Sequence, residues 1–397
     1  MKIKIQQYTN LFNAFIESEK SSGIILIFCT ALSMVISNLP GGEIYSDLFH
    51  TKVDLSFWKV DLNLSLELWI NDGLMTVFFL LVGLEIEREF YAGELKSIRK
   101  ALLPIIAAAG GMLVPALIHF YFNQGTATQS GFAIPMATDI AFALGVLSLA
   151  GNRVPLSIKI FLTALAIIDD LGAILMIAIF YTHHLKMNFL IAALVIFIAL
   201  LLFNKFKINR LIFYILPGTV MWYCMFQSGV HATISGVLLA FAIPFNNQNK
   251  INLSDKLMNI LHSPVAYFII PLFALSNTAI KLPTDITASL TTTNSLGIIL
   301  GLLVGKLTGV FMFTYLAVKL NVTALYKEMN WSNLFGVSLL TGIGFTMSIF
   351  IANLAFADVQ IITQSKLSIL VASIVSALSG LFVLRKVSKT NIKMNFD

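Results

Sequence analysis

Leu156-Ser-Ile-Lys-Ile-Phe-Leu-Thr-Ala-Leu-Ala-Ile-Ile-Asp169-Asp170-Leu-Gly-Ala-Ile-Leu-Met-Ile-Ala-Ile-Phe180-Tyr181 is an apolar run with two carboxylates at its middle. A bilayer is crossed by about 20 apolar residues in a helix. A single charge at its centre costs roughly 2.5–3.5 kcal/mol on insertion scales. Asp139 and Lys306 sit mid-way along two other runs of the same kind. Charges held at that depth read by default as a path for a cation or for protons.

The rest of the chain supports a membrane reading. Of 397 residues, 57% are hydrophobic and only 12% charged, whereas soluble domains carry about 25% charged residues. Mean hydropathy is +0.86, which belongs to the polytopic membrane class. Cys29 and Cys224 lie inside apolar runs and suggest neither a disulfide framework nor a metal site. The six histidines (His50, His119, His183, His184, His231 and His262) lack a ligand spacing such as H-E-x-x-H. No resident cofactor is expected. The net charge of +6 does not point to nucleic acid, because the basic residues fall between apolar runs. The first apolar run begins near Gly23, after a charged amphipathic segment, and does not resemble a cleavable signal peptide.

Twelve spans are expected, at roughly 22–38, 68–86, 101–122, 131–150, 156–181, 188–204, 210–226, 229–244, 260–280, 296–318, 333–356 and 366–384. Twenty of the 26 lysines and arginines fall in the segments on the side of the two termini. Five (Lys52, Lys59, Lys186, Lys281 and Lys366) fall on the other side, and Lys306 lies inside a span. Cytoplasmic segments carry the basic excess, so both termini are expected in the cytoplasm. On the opposite side, Val53, Leu55 and Phe57 alternate with polar residues, as do Val60, Leu62 and Leu64. Period-two alternation reads as two short strands or as an ordered surface loop. An exposed strand edge is a surface on which a second chain can pair.

Span four contains Pro135, which frees backbone carbonyls, followed by Thr138 and Asp139. This is either an oxygen-rich cluster suited to a hard cation such as Na+ or Li+, or a proline kink with a structural aspartate. Span eleven reads Leu340-Thr341-Gly342-Ile343-Gly344-Phe345-Thr346-Met347-Ser348, and its glycines weaken the helix at mid-membrane depth. Two interrupted spans in matching positions suggest inverted repeats around a central site, although small residues also serve ordinary helix packing. If the two broken spans cross, Asp139 and Lys306 can balance the opposed helix ends.

Asp169 and Asp170 diverge by about 100° on a helix, so one can face a cavity while the other meets a partner. Desolvation and like charge disfavour the ionised form of a carboxylate, which would let such a pair trade protons for a cation. In span ten, Gly301, Gly305 and Gly309 form a smooth packing face with Lys306 one position off it. Lys306 is expected to pair with Asp169 or Asp170, as a proton carrier or as a static bridge. At the end of span two, Glu85, Arg88 and Glu89 share a helical face. They form either a pH-responsive funnel mouth or a solvated helix end.

These residues carry a resemblance over nearly the whole length. The stretches are Ile70-Asn-Asp-Gly through Phe78-Phe-Leu-Leu-Val-Gly-Leu-Glu85, Ala137-Thr-Asp-Ile-Ala-Phe-Ala, Ala166-Ile-Ile-Asp-Asp-Leu-Gly, Gly229-Val230-His231-Ala-Thr, Pro271-Leu-Phe-Ala, Val304-Gly-Lys306 and Thr341-Gly-Ile-Gly-Phe-Thr-Met-Ser. Together they resemble the NhaA-type Na+/H+ antiporters. That family is itself among the transporters built on inverted-topology repeats, so the repeat reading and the resemblance are not independent.

The resemblance implies a single all-α transporter domain over residues 1–397, with twelve transmembrane helices and crossed, unwound spans four and eleven around Pro135, Gly342 and Gly344. It implies that Asp169 and Asp170 form the cation and proton site, with Thr138 and Asp139 beside it. Asp139 and Lys306 would compensate helix ends. It further implies an electrogenic exchange of two protons inward for one Na+ or Li+ outward, activated at alkaline pH, in the bacterial inner membrane. A homodimer through the hairpin near residues 50–65 is implied as well. The chain departs from the pattern before span nine: where a well-known member has Glu-His, it carries Met258-Asn259 ahead of Leu261-His262. Glu85, Arg88 and Glu89 are left to carry the pH response.

Two other classes fit less well. Intramembrane aspartyl proteases place an Asp after Gly-x-Gly, but Gly342-Ile343-Gly344 is followed by Phe345. A cation-coupled symporter of organic solutes would need a recognition group, such as an inward-facing arginine, and the spans offer none.

Overall fold

The computed structural model describes residues 21–56, 60–93, 96–151, 154–182, 185–245 and 252–394, with the backbone alone for 98–100 and 388–394. Phe57 of the expected hairpin lies outside the described residues. So do Lys2, Lys4, Lys20, Lys59, Arg153 and Lys250 of the charge count.

Among the described residues, eight helices are long and apolar enough to cross a membrane: α1 (Ser21–Asn38), α3 (Leu66–Tyr91), α4 (Ala101–Asn123 within Ile98–Asn123), α6 (Leu156–Phe180), α7 (Met187–Lys205), α10 (Leu253–Asn277), α12 (Thr293–Lys319) and α15 (Val359–Val387 within Val359–Met394). Two bent pairs raise the number to ten. The 3-10 turn Gln129–Met136 joins α5 (Ile140–Leu149) at 41°, and α13 (Trp331–Leu340) joins α14 (Phe345–Ala355) at 44°. The protein is a multi-pass membrane protein. The expected seventh span falls on α8 (Ile212–Ser228), of 17 residues. The eighth falls on α9 (Ile234–Ala242), of only nine, because Gly229 turns the chain at φ 85 before it. Short helices α2 (Gly42–His50) and α11 (Ile286–Leu290) complete the order.

The expected alternation gives a small antiparallel pair, β1 (Lys52–Asp54) with β2 (Asn63–Ser65), in the register Val53↔Leu64. Its strands are shorter than the alternating runs. Val53 and Leu55 are exposed, whereas Val60, Leu62 and Leu64 are half-buried.

The chain divides into two compact units. The first comprises residues 1–28, 97–173 and 283–397. In it α4 and α12 cross at glycines. A Cβ on Gly301 would lie 2.8 Å from Pro135 Cβ, and one on Gly305 would lie 2.7 Å from Pro115 Cα. Gly110 and Gly309 meet backbone to backbone. The glycine face expected for span ten is therefore a close-packing seam.

The second unit comprises residues 29–96 and 174–282. There α3 and α9 pack closely: a Cβ on Gly83 would stand 2.6 Å from Ala240 Cβ. Buried Asn277 donates through Nδ2 to Asn71 Oδ1 at 2.8 Å, linking α10 to α3. Among the described residues, π-turns interrupt α3 at Trp69–Leu74 and α10 at Val265–Ile269 here, and α12 of the first unit at Gly301–Gly305.

Candidate functional site

The site lies in the first unit, where the two bent pairs meet. Pro135 has no N–H to give, and the chain leaves the 3-10 turn at Ala137, runs extended to Asp139 and re-enters a helix at Ile140. The carbonyl before the proline, that of Ile134, accepts a hydrogen bond from Ser348 Oγ at 2.7 Å. The break in the other pair, at Thr341 to Gly344, supplies more partners. Asp139 N–H donates to the Ile343 carbonyl at 2.7 Å, and Thr138 Oγ1 lies 2.9 Å from the Thr341 carbonyl. The Ile134 carbonyl and the Asp139 N–H, freed at one break, are thus satisfied by groups at the other, as an apolar medium requires.

Asp139 caps two helix N-termini. Its Oδ1 accepts Phe142 N–H of α5 at 2.9 Å. Its Oδ2 accepts both the N–H and the hydroxyl of Thr346, on α14, at 3.0 and 2.6 Å. A carboxylate there matches the partial positive charge of helix N-termini. Ser373 Oγ on α15 accepts Phe345 N–H at 3.3 Å and satisfies a further donor of α14.

Beside this junction α6 brings Asp169, which is 0% exposed. Asp169 Oδ2 faces Lys306 Nζ at 2.5 Å, and Lys306 is also 0% exposed. The same oxygen accepts from Thr138 Oγ1 at 2.9 Å. Among the described residues no protein donor reaches Asp169 Oδ1. Asp170 is 1% exposed, and its charge acts on the Lys306 ammonium. Of the two aspartates offered by sequence, the ion pair selects Asp169. Lys306 directly follows the π-turn Gly301–Gly305. Desolvating such a pair costs several kcal/mol per ion, offset only when the geometry is close and the remaining polar atoms are bonded.

Sequence reasoning therefore anticipated Thr138, Asp139, Asp169, Asp170 and Lys306, and these lie together. It passed over Thr346, Ser348 and Ser373, whose hydroxyls complete the junction. For Thr346 and Ser348 the one signal was their place just after the glycine pair of span eleven.

Family membership follows from comparison with known proteins. The family model for Na+/H+ antiporter 1 matches residues 13–384. The chain belongs to the Na+/H+ antiporter 1 family. It is similar to the Na(+)/H(+) antiporter NhaA of Flavobacterium psychrophilum, 55% identical over 388 residues, covering 98% of this chain and 99% of that one. It is also similar to that of Cytophaga hutchinsonii, 51% identical with 96% of each chain covered. The antiporter of Yersinia enterocolitica is 47% identical, with 95% and 97% covered. Proteins of this family are secondary transporters rather than enzymes, with transported ions and no cofactor.

Glu85, Arg88 and Glu89 lie half-buried near the end of α3. Their neighbour Glu87 is the buried one, 7% exposed, and accepts Ser254 Oγ of α10 at 3.3 Å. Met258 is buried on α10 and Asn259 exposed.

Proposed function

We infer that this chain is an electrogenic Na+ (or Li+)/H+ antiporter of the bacterial inner membrane. Both termini are cytoplasmic, and the chain crosses the membrane twelve times in two inverted repeats whose broken spans cross at the site. The observation that carries this reading is the buried Asp169–Lys306 pair, with one carboxylate oxygen lacking a protein donor, set against two interrupted helices. Na+ is a hard cation and prefers oxygen ligands, as Ca2+ and Mg2+ do. The oxygens available are those of Asp169 and Asp170, the Thr138 hydroxyl and the Thr341 carbonyl. Asp139, whose oxygens already accept three donors, serves as counter-charge to the helix ends.

Exchange proceeds by competition. With the site open to the cytoplasm, Na+ takes the Asp169 oxygens from the Lys306 ammonium and displaces a proton from Asp170. The site then opens outward, Na+ leaves, and protons rebind. Loss of one proton from Asp170 and one from Lys306 for each Na+ bound gives two protons per Na+, and net charge moves. A homodimer through the β1–β2 ribbon fits its exposed Val53 and Leu55. A pH response fits the carboxylates at the end of α3.

The test is Na+-dependent proton flux in everted vesicles. Asp170→Asn abolishes it; wild-type flux in that variant would overturn the assignment.

A further inference from the structure

We propose that the buried imidazole of His119 is a second proton-binding site, and that a proton there opposes the closed packing of α4 against α12 and α15. Only the face that supplies the proton rests on the orientation proposed above; in it, the N-terminal ends of α12 and α15 are extracytoplasmic.

His119 is 0% exposed, on the last turns of α4. Its Nε2 lies 3.1 Å from Asn294 Oδ1, at the start of α12. Asn294 Nδ2 is committed to Ser365 Oγ of α15 at 2.8 Å, so the Oδ1 that faces the ring can only accept. The ring proton therefore sits on Nε2, and Nδ1 presents a bare lone pair. Among the described residues no protein donor reaches Nδ1.

The chamber fits this ring closely. A Cβ on Gly297 would stand 3.0 Å from His119 Cδ2, and one on Gly131 would stand 3.1 Å from Cε1. Asn123 Nδ2 ties the same seam by donating to the carbonyls of His119 and Thr293, at 2.9 and 3.1 Å.

Among the described residues, the groups placed about the ring carry no charge. They are Asn123 of α4, Gly131 and Ile134 of the 3-10 turn, Phe356 after α14, and Asn294 and Gly297 of α12, with Ser365 of α15 behind Asn294. The charged residues nearest in sequence are Lys366, next to Ser365, and exposed Asp358. A proton on Nδ1 would create a buried cation whose new N–H has no acceptor, and burying such a charge is costly. The proton and the closed seam exclude one another. A ligand that binds one of two arrangements shifts the population toward it. Acid therefore favours an arrangement in which α4 parts from α12 and α15 and the ring reaches water.

The full-length protein with 15N-labelled histidine tests this in micelles, with the His119 signals assigned by their loss in His119→Gln. His119 is expected to protonate in one step while the protein stays folded. Below that step, amide exchange in 119–123 and 293–297, corrected for intrinsic chemistry, rises by up to about tenfold per pH unit. His119→Gln abolishes that rise while keeping the fold. The proposal is overturned if His119 stays neutral until the whole protein unfolds, or if the exchange rise is unchanged in His119→Gln. Neither readout measures transport, so failure here is separable from failure of the antiport reading, which Asp170→Asn decides.

Discussion

Removal of one partner from the Lys306–Asp169 pair gives the sharpest stability test. The two groups meet at 2.5 Å with both side chains 0% exposed. Lys306→Met leaves a carboxylate whose remaining donor is the Thr138 hydroxyl. Breaking a buried pair in this way costs about 3–5 kcal/mol, or roughly two to three and a half decades in the folded-to-unfolded ratio. Asp169→Asn leaves the ammonium with Asp170 alone and is expected to lose somewhat less. In the double variant no unpaired charge remains at this contact, so the combined loss falls short of the sum by at least ~2 kcal/mol. Recovery is incomplete because the Asp170 carboxylate keeps its own burial cost. Unfolding in mixed micelles, followed by tryptophan fluorescence for all four proteins, completes the cycle. Losses that add within about 0.5 kcal/mol, the behaviour of independent sites, would refute a direct energetic coupling.

Three further outcomes follow from the same geometry. Lys306→Gln removes one of the two titrating groups, so residual antiport becomes electroneutral; charge movement per Na+ equal to wild type would restrict Lys306 to a static role. Thr346→Val deletes the hydroxyl that donates to Asp139 Oδ2 at 2.6 Å and is expected to cost about 1.5–3 kcal/mol, as for hydrogen bonds to charged groups. It should leave the KM for Na+ within a few-fold, and a larger rise would make Asp139 a cation ligand. On the surface, Lys281 bonds Glu43 at 2.7 Å and holds its carboxyl below the usual range. The small stabilisation is therefore present above the ordinary glutamate pKa and lost as pH falls through the lowered one. Carboxyl NMR of Lys281→Met should show the Glu43 titration move up, with no measurable change in thermal stability.

The charged members of the site were legible because charge is conspicuous in apolar sequence. Asp139, Asp169, Asp170 and Lys306 stood out by burial cost alone, and the roughly 100° between adjacent helical positions already separated the two aspartates. The choice of Asp169 as the Lys306 partner was not legible, since it depends on how α6 is rotated against α12. Thr346 and Ser348 were hidden for another reason. Hydroxyls near helix breaks commonly bond their own backbone, and only the opposing break turns them toward Asp139 and the Ile134 carbonyl. Glu87 was missed because helical spacing selected the Glu85, Arg88 and Glu89 face, whereas its partner Ser254 is 167 residues away. The seventh and eighth spans blurred because Gly229 starts a turn inside continuous apolar sequence. The π-turns were silent because a helix apolar all round has no periodicity to interrupt.

The π-turn at Gly301–Gly305 makes residue count a determinant of charge placement. A regular helix advances about 100° per residue, and a π-turn holds one residue more than an α-turn. Were the segment to straighten to an ordinary helix with all five residues kept, the extra residue would no longer be absorbed. Every later side chain of α12 would then swing by about 100°, with Lys306 the first to move. The ammonium would still be present, at the same depth within about 1.5 Å, yet aimed at another neighbour and no longer at Asp169. The phase of the helix, and not only the identity of its residues, is what the π-turn fixes here.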